Sequence, residues 1–332
     1  MRNHDESRTS NNYVASINRA IDFVVQHLDR QLKLDDLAAV AHFSPFHFHR
    51  IFRSLVGETV NQFVKRLRLE RAVRMLRHEP TRRLTEIALA CGFGSSSDFS
   101  RCFKQRYGVP PSEFDPAAEE AARREEMLEA EKQDPICASH DDSDGVRDPV
   151  MTTHPHRLKR LPAGQNPDGF AVRMRERPAR TVAYIRTLAP YREGAVTGAA
   201  ERLVGWAEGH GLGDNPWYGY MWDDPDLVAA DDCRYDVAVE IDAATAAGLP
   251  DREVGCLAFP AMLLAEVPMA GSIECELRAL DWLFATWLPQ SGFVPTDQPC
   301  FEAWCGRPFA HGTEHFELAI QLPVARRERR LR

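Results

Sequence analysis

Two stretches in the first third of the chain share one pattern, and this duplication constrains the fold more than any other feature. Residues 34–57 read LDDLAAVAHFSPFHFHRIFRSLVG, and residues 84–108 read LTEIALACGFGSSSDFSRCFKQRYG. The corresponding positions are Leu37 and Ile87, Ala38 and Ala88, Phe43 and Phe93, Phe48 and Phe99, Arg50 and Arg101, Phe52 and Phe103, and Gly57 and Gly108. Each copy is typical of a short helix, a tight turn and a second helix. The sequence therefore predicts two helix-turn-helix units in tandem.

Local signals around the first copy predict further helices. Apolar residues recur every three or four positions after Asn12, which indicates an amphipathic helix. Ser44 is a helix-capping residue, and Pro45 suits the first helical position. Residues 59–78 continue the helical pattern, which predicts a connecting helix about 30 Å long. Because successive major grooves on one face of DNA lie ~34 Å apart, this helix could place both second helices in adjacent grooves.

Formal charge is divided unevenly along the chain. Residues 12–115 hold 16 Lys and Arg against 11 Asp and Glu, a balance of +5. The whole chain carries −8, so the remaining residues sum to −13. Because a basic surface attracts phosphates, we expect nucleic-acid binding to be confined to this N-terminal segment.

Residues 12–115 resemble the DNA-binding domain of AraC-type transcription regulators. The resemblance rests on the doubled unit, on IALACGF with SDFSRCFKQRYG in the second copy, and on the closing GVPPSEF. It implies an all-α fold of seven helices with a long connecting helix. It also implies binding to double-stranded promoter DNA across two adjacent major grooves, with RNA polymerase as an expected partner and activation as the expected mode.

The N-terminal end of each second helix is expected to reach base edges. Arg50 can donate to guanine or phosphate, His49 can donate to an acceptor, and Phe46 could contact a thymine methyl, whereas Phe48 is expected in the core. The predicted DNA-contacting residues are Ser44, Phe46, His49, Arg50 and Arg53 in the first unit, and Ser96, Ser97, Asp98, Arg101 and Lys104 in the second. Because the second set has short side chains and an acid, we expect it to discriminate less between sequences. The phosphate-contacting candidates are Lys65, Arg66, Arg68, Arg71, Arg82 and Arg83.

Composition changes after residue 115. Residues 116–169 contain the Ala- and Glu-rich run AAEEAARREEMLEAEK, followed by a stretch rich in Asp, Pro, Gly and Ser. This predicts a solvated helical spacer and then a flexible linker. The expected boundaries are a disordered N-terminus at 1–11, the double helix-turn-helix domain at 12–115, the linker at 116–169, a second domain at 170–325 and a basic tail at 326–332.

The second domain shows strand and helix patterns in two similar halves, offset by about 81 residues. The predicted segments are strands at 180–187, 218–222 and 235–241 with a helix at 195–210 in the first half, and strands at 261–267, 301–305 and 316–322 with a helix at 273–287 in the second. The sequence thus predicts an α+β domain of two pseudo-symmetric β-α-β-β repeats, with an antiparallel sheet and a groove between the halves.

This second half resembles the GyrI-like effector-binding domains over residues 170–325. The matching stretches are YMWDDPD at 220–226, CRYDVAVEI at 233–241, FPAMLLAEV at 259–267 and PCFEAW at 299–304. The order, with the DNA-binding domain first, resembles the Rob-like regulators, whereas in most AraC-type proteins the effector domain comes first. The resemblance implies multidrug sensing, in which the domain binds aromatic and often cationic small molecules.

Glu302 lies between Phe301 and Trp304 on a predicted central strand. A buried carboxylate is costly unless it is paired, so one interpretation is that it meets a cationic ligand held by charge and by cation–π attraction. The resemblance implies the same role for a Glu at this motif position. The alternative is a Glu at the groove rim, paired with Arg307 or solvated. The predicted ligand-binding residues are Glu302, Trp304, Tyr218, Tyr220 and Trp222, with Trp282 as a further aromatic candidate, although some of these aromatics must face the core.

An enzyme is the less favoured interpretation of this domain. Some GyrI-like proteins are thought to hydrolyse reactive small molecules with the same Glu, and a Glu of raised pKa beside a Tyr could act as a general acid–base pair. The sequence has no second carboxylate, metal cluster or nucleophile–base pair at motif spacing, so no catalytic residue is assigned. The alternatives to sensing are a Glu302-dependent hydrolase and a drug-sequestering module tethered to DNA.

Neither a metal nor a cofactor is expected. Cys300, Cys305, His311 and His315 imitate zinc-finger spacing, but the segment between them is typical of a strand and a loop, so buried thiols and surface imidazoles are preferred. Eight cysteines without a C-x-x-C pair favour reduced thiols. No signal peptide or membrane-spanning run is visible. We therefore expect a cytoplasmic protein that is nucleoid-associated when bound to DNA.

Overall fold

A computed structural model describes residues 2–119, 121–122, 161–192, 194–224, 228–249 and 253–327. The chain divides into two compact units, with residues 2–118 in the first and residues 161–248 and 256–327 in the second. An all-helical unit precedes a unit built on a β-sheet, as the sequence predicts. Each unit has its own apolar core.

The first unit contains both predicted helix-turn-helix units. Its helices are α1 Arg2–Gln26, α2 Leu34–Val40, α3 Pro45–Val56, α4 Val60–His78, α5 Leu84–Ala90 and α6 Ser96–Tyr107. Phe48 and Phe52 on α3 and Phe99 and Phe103 on α6 are all fully buried, so equivalent positions of the two copies anchor each second helix in its core. Residues 116–119 and 121–122 are also helical.

Short-range hydrogen bonds fix where these helices begin and end. Ser44 caps α3 by accepting from the backbone N–H of His47, and Gly57 ends it in the left-handed region with φ 86°. Thr59 and Gln62 form a capping box at the start of α4. The 19 residues of α4 correspond to a rod of about 28 Å. The predicted long connecting helix is confirmed.

The predictions for the segments outside the two domains concern the N-terminus, the linker and the C-terminal tail. The expectation of disorder at 1–11 is wrong for residues 2–11, which begin α1. They contain no Pro or Gly, so helix nucleated by the apolar stripe after Asn12 can propagate backwards at little cost. Most of the predicted linker, at 123–160, lies outside the described residues, as do residues 328–332 of the predicted basic tail.

The second unit is built on an antiparallel sheet. Its strands are β1 Arg173–Arg177, β2 Arg180–Leu188, β3 Trp217–Met221, β4 Arg234–Ile241, β5 Gly255–Phe259, β6 Met262–Gly271, β7 Phe293–Pro295, β8 Cys300–Trp304 and β9 Phe316–Arg326. The order across the sheet is β1-β6-β9-β8-β3-β4-β2-β5, and β7 pairs with β9. This order is symmetric about the β8–β3 pair, as a repeat would require. Superposition of the two halves stays a prediction.

Two long helical segments accompany the sheet. Helix α7, Ala195–Gly209, packs on β2 and β4, and a short α8 spans Ala243–Gly248. Helix α9, Ile273–Asp281, packs on β6 and β9 and continues through a π-helical turn at Trp282–Trp287 into a last turn at Leu288–Ser291. The predicted helix at 273–287 therefore changes its hydrogen-bonding pattern halfway, a departure often found at functional sites.

The strand register divides the central side chains between two faces. Glu302 on β8 pairs with Gly219 of β3 and with Ile320 of β9, so these three positions share one face. Ile320 belongs to the core that α9 covers, and we call this side the helix-covered face. Tyr218 pairs with Ala303, which places it on the opposite face.

Residues 161–170 pack against α9 and its π-helical continuation, so residues 161–169 of the predicted linker are attached to the second unit. The backbone N–H of Leu161 donates to the Asp281 carboxylate at 3.0 Å. Arg278 makes two hydrogen bonds to Asp168, at 2.8 and 2.7 Å. Phe170 lies against Trp282 with ring centroids 6.0 Å apart. The linker prediction fails here because two apolar residues within a polar stretch suffice to anchor it.

Candidate DNA-reading surface and small-molecule site

The outer face of α3 presents a basic and aromatic surface. Phe46 is 67% exposed, and the Arg50 guanidinium lies 5.7 Å from its ring centroid. Arg53 is also exposed, whereas His49 is half-buried. His47, one turn before Arg50 and fully on the exposed face, was missed by the sequence analysis. The spacing of exposed residues along α3 would have identified it, because residues three apart share a helix face.

The outer face of α6 is chemically weaker. Its cap is Ser95, which accepts from the backbone N–H of Asp98, and Ser96 is half-buried. Ser97, Arg101 and Lys104 are exposed. The Arg101 guanidinium is held by the Asp98 carboxylate at 2.6 Å, which offsets part of its positive charge. This geometry supports the expectation that the second helix discriminates less, although DNA contact by these residues stays a prediction.

Two of the basic residues proposed for phosphate contact serve the fold. Arg66 is buried and pairs with Glu58 at 2.6 Å and with Glu70 at 3.1 Å. Arg68 donates to the backbone carbonyls of Leu28 and Arg30. The prediction is wrong for these two, because their guanidinium groups are already engaged by Glu58 and Glu70 or by the backbone that follows α1. Lys65 and Arg83 remain exposed.

Glu302 is buried in the second unit, with 7% exposure. The hydroxyl of Tyr235, on β4, donates to its Oε2 atom at 2.5 Å. Gly219 makes room for this contact, since a Cβ there would lie 1.9 Å from the Tyr235 hydroxyl and 2.6 Å from Glu302 Oε2. The phenol therefore crosses directly over the glycine. Burial, together with the Glu302 charge, raises the pKa of Tyr235 well above its usual range.

A second carboxyl approaches Glu302 from α9. Glu276 is 5% exposed and lies next to Glu302. Burial raises the pKa of Glu276 well above its usual range, and the neighbouring Glu302 raises it further. Burial also raises the pKa of Glu302, against the opposing effect of the Tyr235 hydrogen bond. Two adjacent buried carboxyls repel each other when both are charged, which favours a carboxyl–carboxylate dyad that holds one proton.

Two further residues of β8, Cys300 and Trp304, lie beside the carboxyls. Burial raises the pKa of the Cys300 thiol, and the two carboxyls raise it further. Within the described residues, the buried indole N–H of Trp304 makes no hydrogen bond of good geometry. It lies near Tyr235, whose pKa it lowers slightly. Glu302, Glu276, Tyr235 and Trp304 thus bring two acids, a phenol and a free indole donor together. We call these four residues the carboxyl site.

Three predicted ligand residues lie elsewhere, so their assignment to a groove with Glu302 is wrong. Tyr218, Tyr220 and Trp222 project from the opposite face. Tyr218 lies 4.7 Å from the Arg180 guanidinium, and burial raises its pKa to about 12. Tyr220 is fully buried, and the Trp222 indole donates to Asp236 at 2.7 Å. These aromatic rings pack in the core of the opposite face.

Arg307, Trp282 and the two histidines of the zinc-like spacing each contact residues other than Glu302. Arg307 pairs with Glu208, and Glu302 is buried, so the interpretation as a rim Glu is wrong. Trp282 packs in the core under α9. Among the described residues, no three His, Cys, Asp or Glu side chains are grouped to hold a metal. His311 and His315 instead lie near Glu317, at 4.0 and 3.8 Å.

Tyr235 and Glu276 were not identified from the sequence. No second carboxylate lies at motif spacing from Glu302, but the fold brings Glu276 to it from a separate helix. A signal existed in the helix pattern, where Glu276 occupies a position between Ile273 and Ala279 on the apolar stripe. For Tyr235 there was none, since its meeting with Glu302 depends on the register of three strands.

Comparison with known proteins agrees with this two-part geometry. Residues 37–116 match the family of the helix-turn-helix domain, and residues 170–325 match the GyrI-like small molecule binding domain. The chain joins an AraC-type helix-turn-helix domain to a GyrI-like domain. Both resemblances drawn from the sequence are confirmed, as is the order of the domains.

Individual relatives match the helix-turn-helix part. The uncharacterized HTH-type transcriptional regulator YbfP of Bacillus subtilis (strain 168) is 35% identical over 102 residues, covering 31% of this chain and 34% of that protein. The transcriptional regulator Rob of Salmonella typhimurium is 32% identical over 96 residues, covering 29% and 33%. The crystal structure of the DNA-binding domain of AdpA with a target DNA is 31% identical, covers 32% of this chain and 95% of that one, and gives a TM-score of 0.29.

The chain spans about a third of the length of the curated relatives it matches. Within the described part of the chain, no helix combines the length and apolarity needed to cross a membrane.

Proposed function

We propose that this protein is a transcription regulator that responds to an aromatic cation bound by its GyrI-like domain. The observation that carries the proposal is the buried Glu302 on a chain that also presents two helix-turn-helix units. In the described part of the chain, Glu302 accepts a hydrogen bond from Tyr235 and lies next to Glu276, and neither brings a positive charge. An aromatic cation supplies that charge and stacks on nearby rings such as Trp304.

On the DNA side, α3 and α6 enter adjacent major grooves and α4 sets their separation. The exposed Phe46 and Arg50 of α3 give it a thymine-methyl contact and a guanine donor. The +5 balance of residues 12–115 supplies phosphate attraction. Activation through RNA polymerase completes the proposal. In vitro selection of DNA sites by the purified full chain, with and without aromatic cations, tests the whole scheme.

Replacing Arg50 with alanine is expected to weaken binding to the selected site by ~1–3 kcal/mol and to relax base preference at one position. The cause is loss of a base-edge donor. Fluorescence anisotropy titration of the selected duplex and of its single-base variants measures both effects. The control is Arg192→Ala, which removes one exposed arginine from the GyrI-like domain. Unchanged affinity and unchanged preference in Arg50→Ala would show that α3 is wrongly assigned as the reading helix.

Replacing Glu302 with glutamine is expected to weaken binding of aromatic cations at least tenfold, because a cation in a buried site would lose the carboxylate that neutralises its charge. Neutral aromatics of the same shape are expected to bind both proteins alike. Calorimetric titration of the full chain with matched cationic and neutral compounds separates the contribution of the ligand's charge from that of its aromatic shape. Glu274→Gln, on the same helix as Glu276 but outside the carboxyl site, is the control. Equal binding of cations by wild type and Glu302→Gln would exclude the charge-pairing role.

The carboxyl site also favours one second candidate, a hydrolase, because a carboxyl–carboxylate dyad beside a phenol can act as acid and base. Turnover of activated esters and strained ketones by the full chain, lost in Glu302→Gln, would establish it. Cation binding without such turnover supports sensing, or sequestration of the bound drug on DNA.

A further inference from the structure

The two acids of the carboxyl site come from elements of different kinds. Glu302 is fixed on β8, in the middle of the sheet between β3 and β9. Glu276 is carried by α9, which lies on top of that sheet, and it reaches down to Glu302. Tyr235 has a single hydroxyl proton, and it is donated to Glu302 Oε2. The phenol therefore supplies no proton between the two buried, adjacent carboxyls, and a proton shared by the pair is one that Glu276 or Glu302 itself holds.

Loss of that proton without a replacement charge is unfavourable, because the described groups around the two carboxyls carry no positive charge. Within the described residues, the other titratable groups beside the two carboxyls are Tyr235 from β4 and Cys300 from β8, whose pKa values the carboxyls raise, so both stay neutral. Among the residues that the structure describes, no Arg, Lys or His shifts the pKa of Glu276 or Glu302. Both side chains are more than nine-tenths buried. Two adjacent carboxylates in such a setting would repel each other in a medium that screens them weakly.

We infer that Glu276 and Glu302 form a proton–cation exchange site, in which an incoming aromatic cation takes the place of the proton that the pair shares. The exchange balances in charge, since one proton leaves to solvent for each cation that binds, and the site keeps its net charge. Glu276 is then a second ligand residue that sets the exchange, in addition to Glu302. The inference rests on the proposed function, because it specifies how that site accepts its cation.

The exchange predicts a definite pH dependence. Burial raises the pKa of both carboxyls, so the empty pair keeps its proton to a higher pH than an ordinary carboxyl does. Below the pKa of the empty pair, a cation must displace the proton, and affinity rises about tenfold per pH unit. Above that pKa the proton is already absent, and affinity levels off. The sign is opposite to that of a site that binds anions.

The test uses 1-methylquinolinium, an aromatic cation whose charge does not change with pH. Calorimetry on the full chain from about pH 5.5 to about pH 8.5, in buffers of different ionisation enthalpy, counts the protons released. The wild type is expected to release about one proton per cation at the acidic end and to bind more tightly as pH rises. Glu276→Gln is expected to bind through Glu302 with almost no proton release and a flattened pH curve. Glu274→Gln is the matched control and is expected to follow the wild type.

The outcomes separate this inference from the function on which it rests. If the wild type binds 1-methylquinolinium with no proton release and Glu276→Gln has the same pH curve, the exchange is overturned while the cation sensor stands. If the wild type does not bind this cation at any pH, the proposed function fails and the exchange fails with it. Should Glu276→Gln not fold, carbon-13 NMR of labelled Glu in the wild type decides the matter. Two coupled titrations shifted upward support the pair, and two ordinary carboxyl titrations exclude it.

Discussion

Replacing Asp236 with alanine is expected to destabilise the GyrI-like domain by about 3–5 kcal/mol, the largest effect on stability of any substitution considered for this chain. Asp236 is fully buried and accepts two hydrogen bonds from Arg186, at 2.8 and 2.7 Å. It also accepts one from the Trp222 indole at 2.7 Å. Alanine would remove the carboxylate that neutralises a buried guanidinium, and desolvation of that charge would no longer be offset.

The measurement is urea unfolding followed by tryptophan fluorescence. The tryptophans of this chain are Trp206, Trp217, Trp222, Trp282, Trp287 and Trp304, so the signal reports on the GyrI-like domain alone. Asp231→Ala breaks an ion pair whose side chains are 72% and 76% exposed, and it should change stability by less than about 1 kcal/mol.

A double replacement separates the effect of the two charges on stability from the effect of the side-chain volume. Arg186→Met with Asp236→Leu removes both charges and keeps most of the volume, so its loss should be smaller than that of Asp236→Ala. A loss below about 1 kcal/mol for Asp236→Ala alone would contradict the view that this carboxylate offsets a buried charge.

The helix-turn-helix half could be predicted from the sequence because its determinants are local. Ser44, Pro45 and Gly57 mark the ends of α3 by rules that act within one turn, and the structure places each where expected. The duplication then transfers the same interpretation to α6. What could not be predicted was which basic residues serve the fold. Arg68 differs from exposed Lys65 in its contact with the backbone of Leu28, 40 residues away, and Arg66 differs in the burial that pairs it with Glu58 and Glu70.

The carboxyl site could be predicted only in part, because strand register is not a local property. Alternation correctly grouped Tyr218, Tyr220 and Trp222 on one face of the sheet. Whether Glu302 shares that face depends on how β8 aligns with β3, and a shift of one residue would have reversed the answer. The pairing of Glu302 with Gly219 puts a glycine, rather than an aromatic ring, beside the acid. Tyr235 then fills the space that the glycine leaves.

The carboxyl site is also connected, through helix α9, to the segment that leads into its domain. Glu276 lies on α9, and residues 161–170, which lead into the GyrI-like domain, are fixed to α9 and its continuation by Arg278 and Asp281. A ligand regulates only if its affinity differs between two states of the protein. The helix that carries one half of the carboxyl pair is therefore also the helix to which the entering segment is attached.

Replacing Gly219 with alanine is expected to abolish cation binding and to destabilise the GyrI-like domain by ~1–3 kcal/mol. The added methyl would lie 1.9 Å from the Tyr235 hydroxyl and 2.6 Å from Glu302 Oε2, so the phenol would have to leave its position. Its hydrogen bond to Glu302 would break, and the carboxyl pair would lose the donor that orients it. Because Tyr235 is itself buried, the displaced ring has no ready space to occupy.

Gly205→Ala provides the matched control for this substitution. Gly205 lies within α7, and a Cβ there would meet no atom within 4 Å, so alanine should be neutral or stabilise the domain by ~0.5–1 kcal/mol. Titration with 1-methylquinolinium and urea unfolding followed by tryptophan fluorescence apply to both variants. If Gly219→Ala bound the cation and unfolded like the wild type, the phenol of Tyr235 could not cross over residue 219. The carboxyl pair would then be oriented by some other donor, of which Trp304 is the nearest candidate, since its indole N–H is buried beside Tyr235.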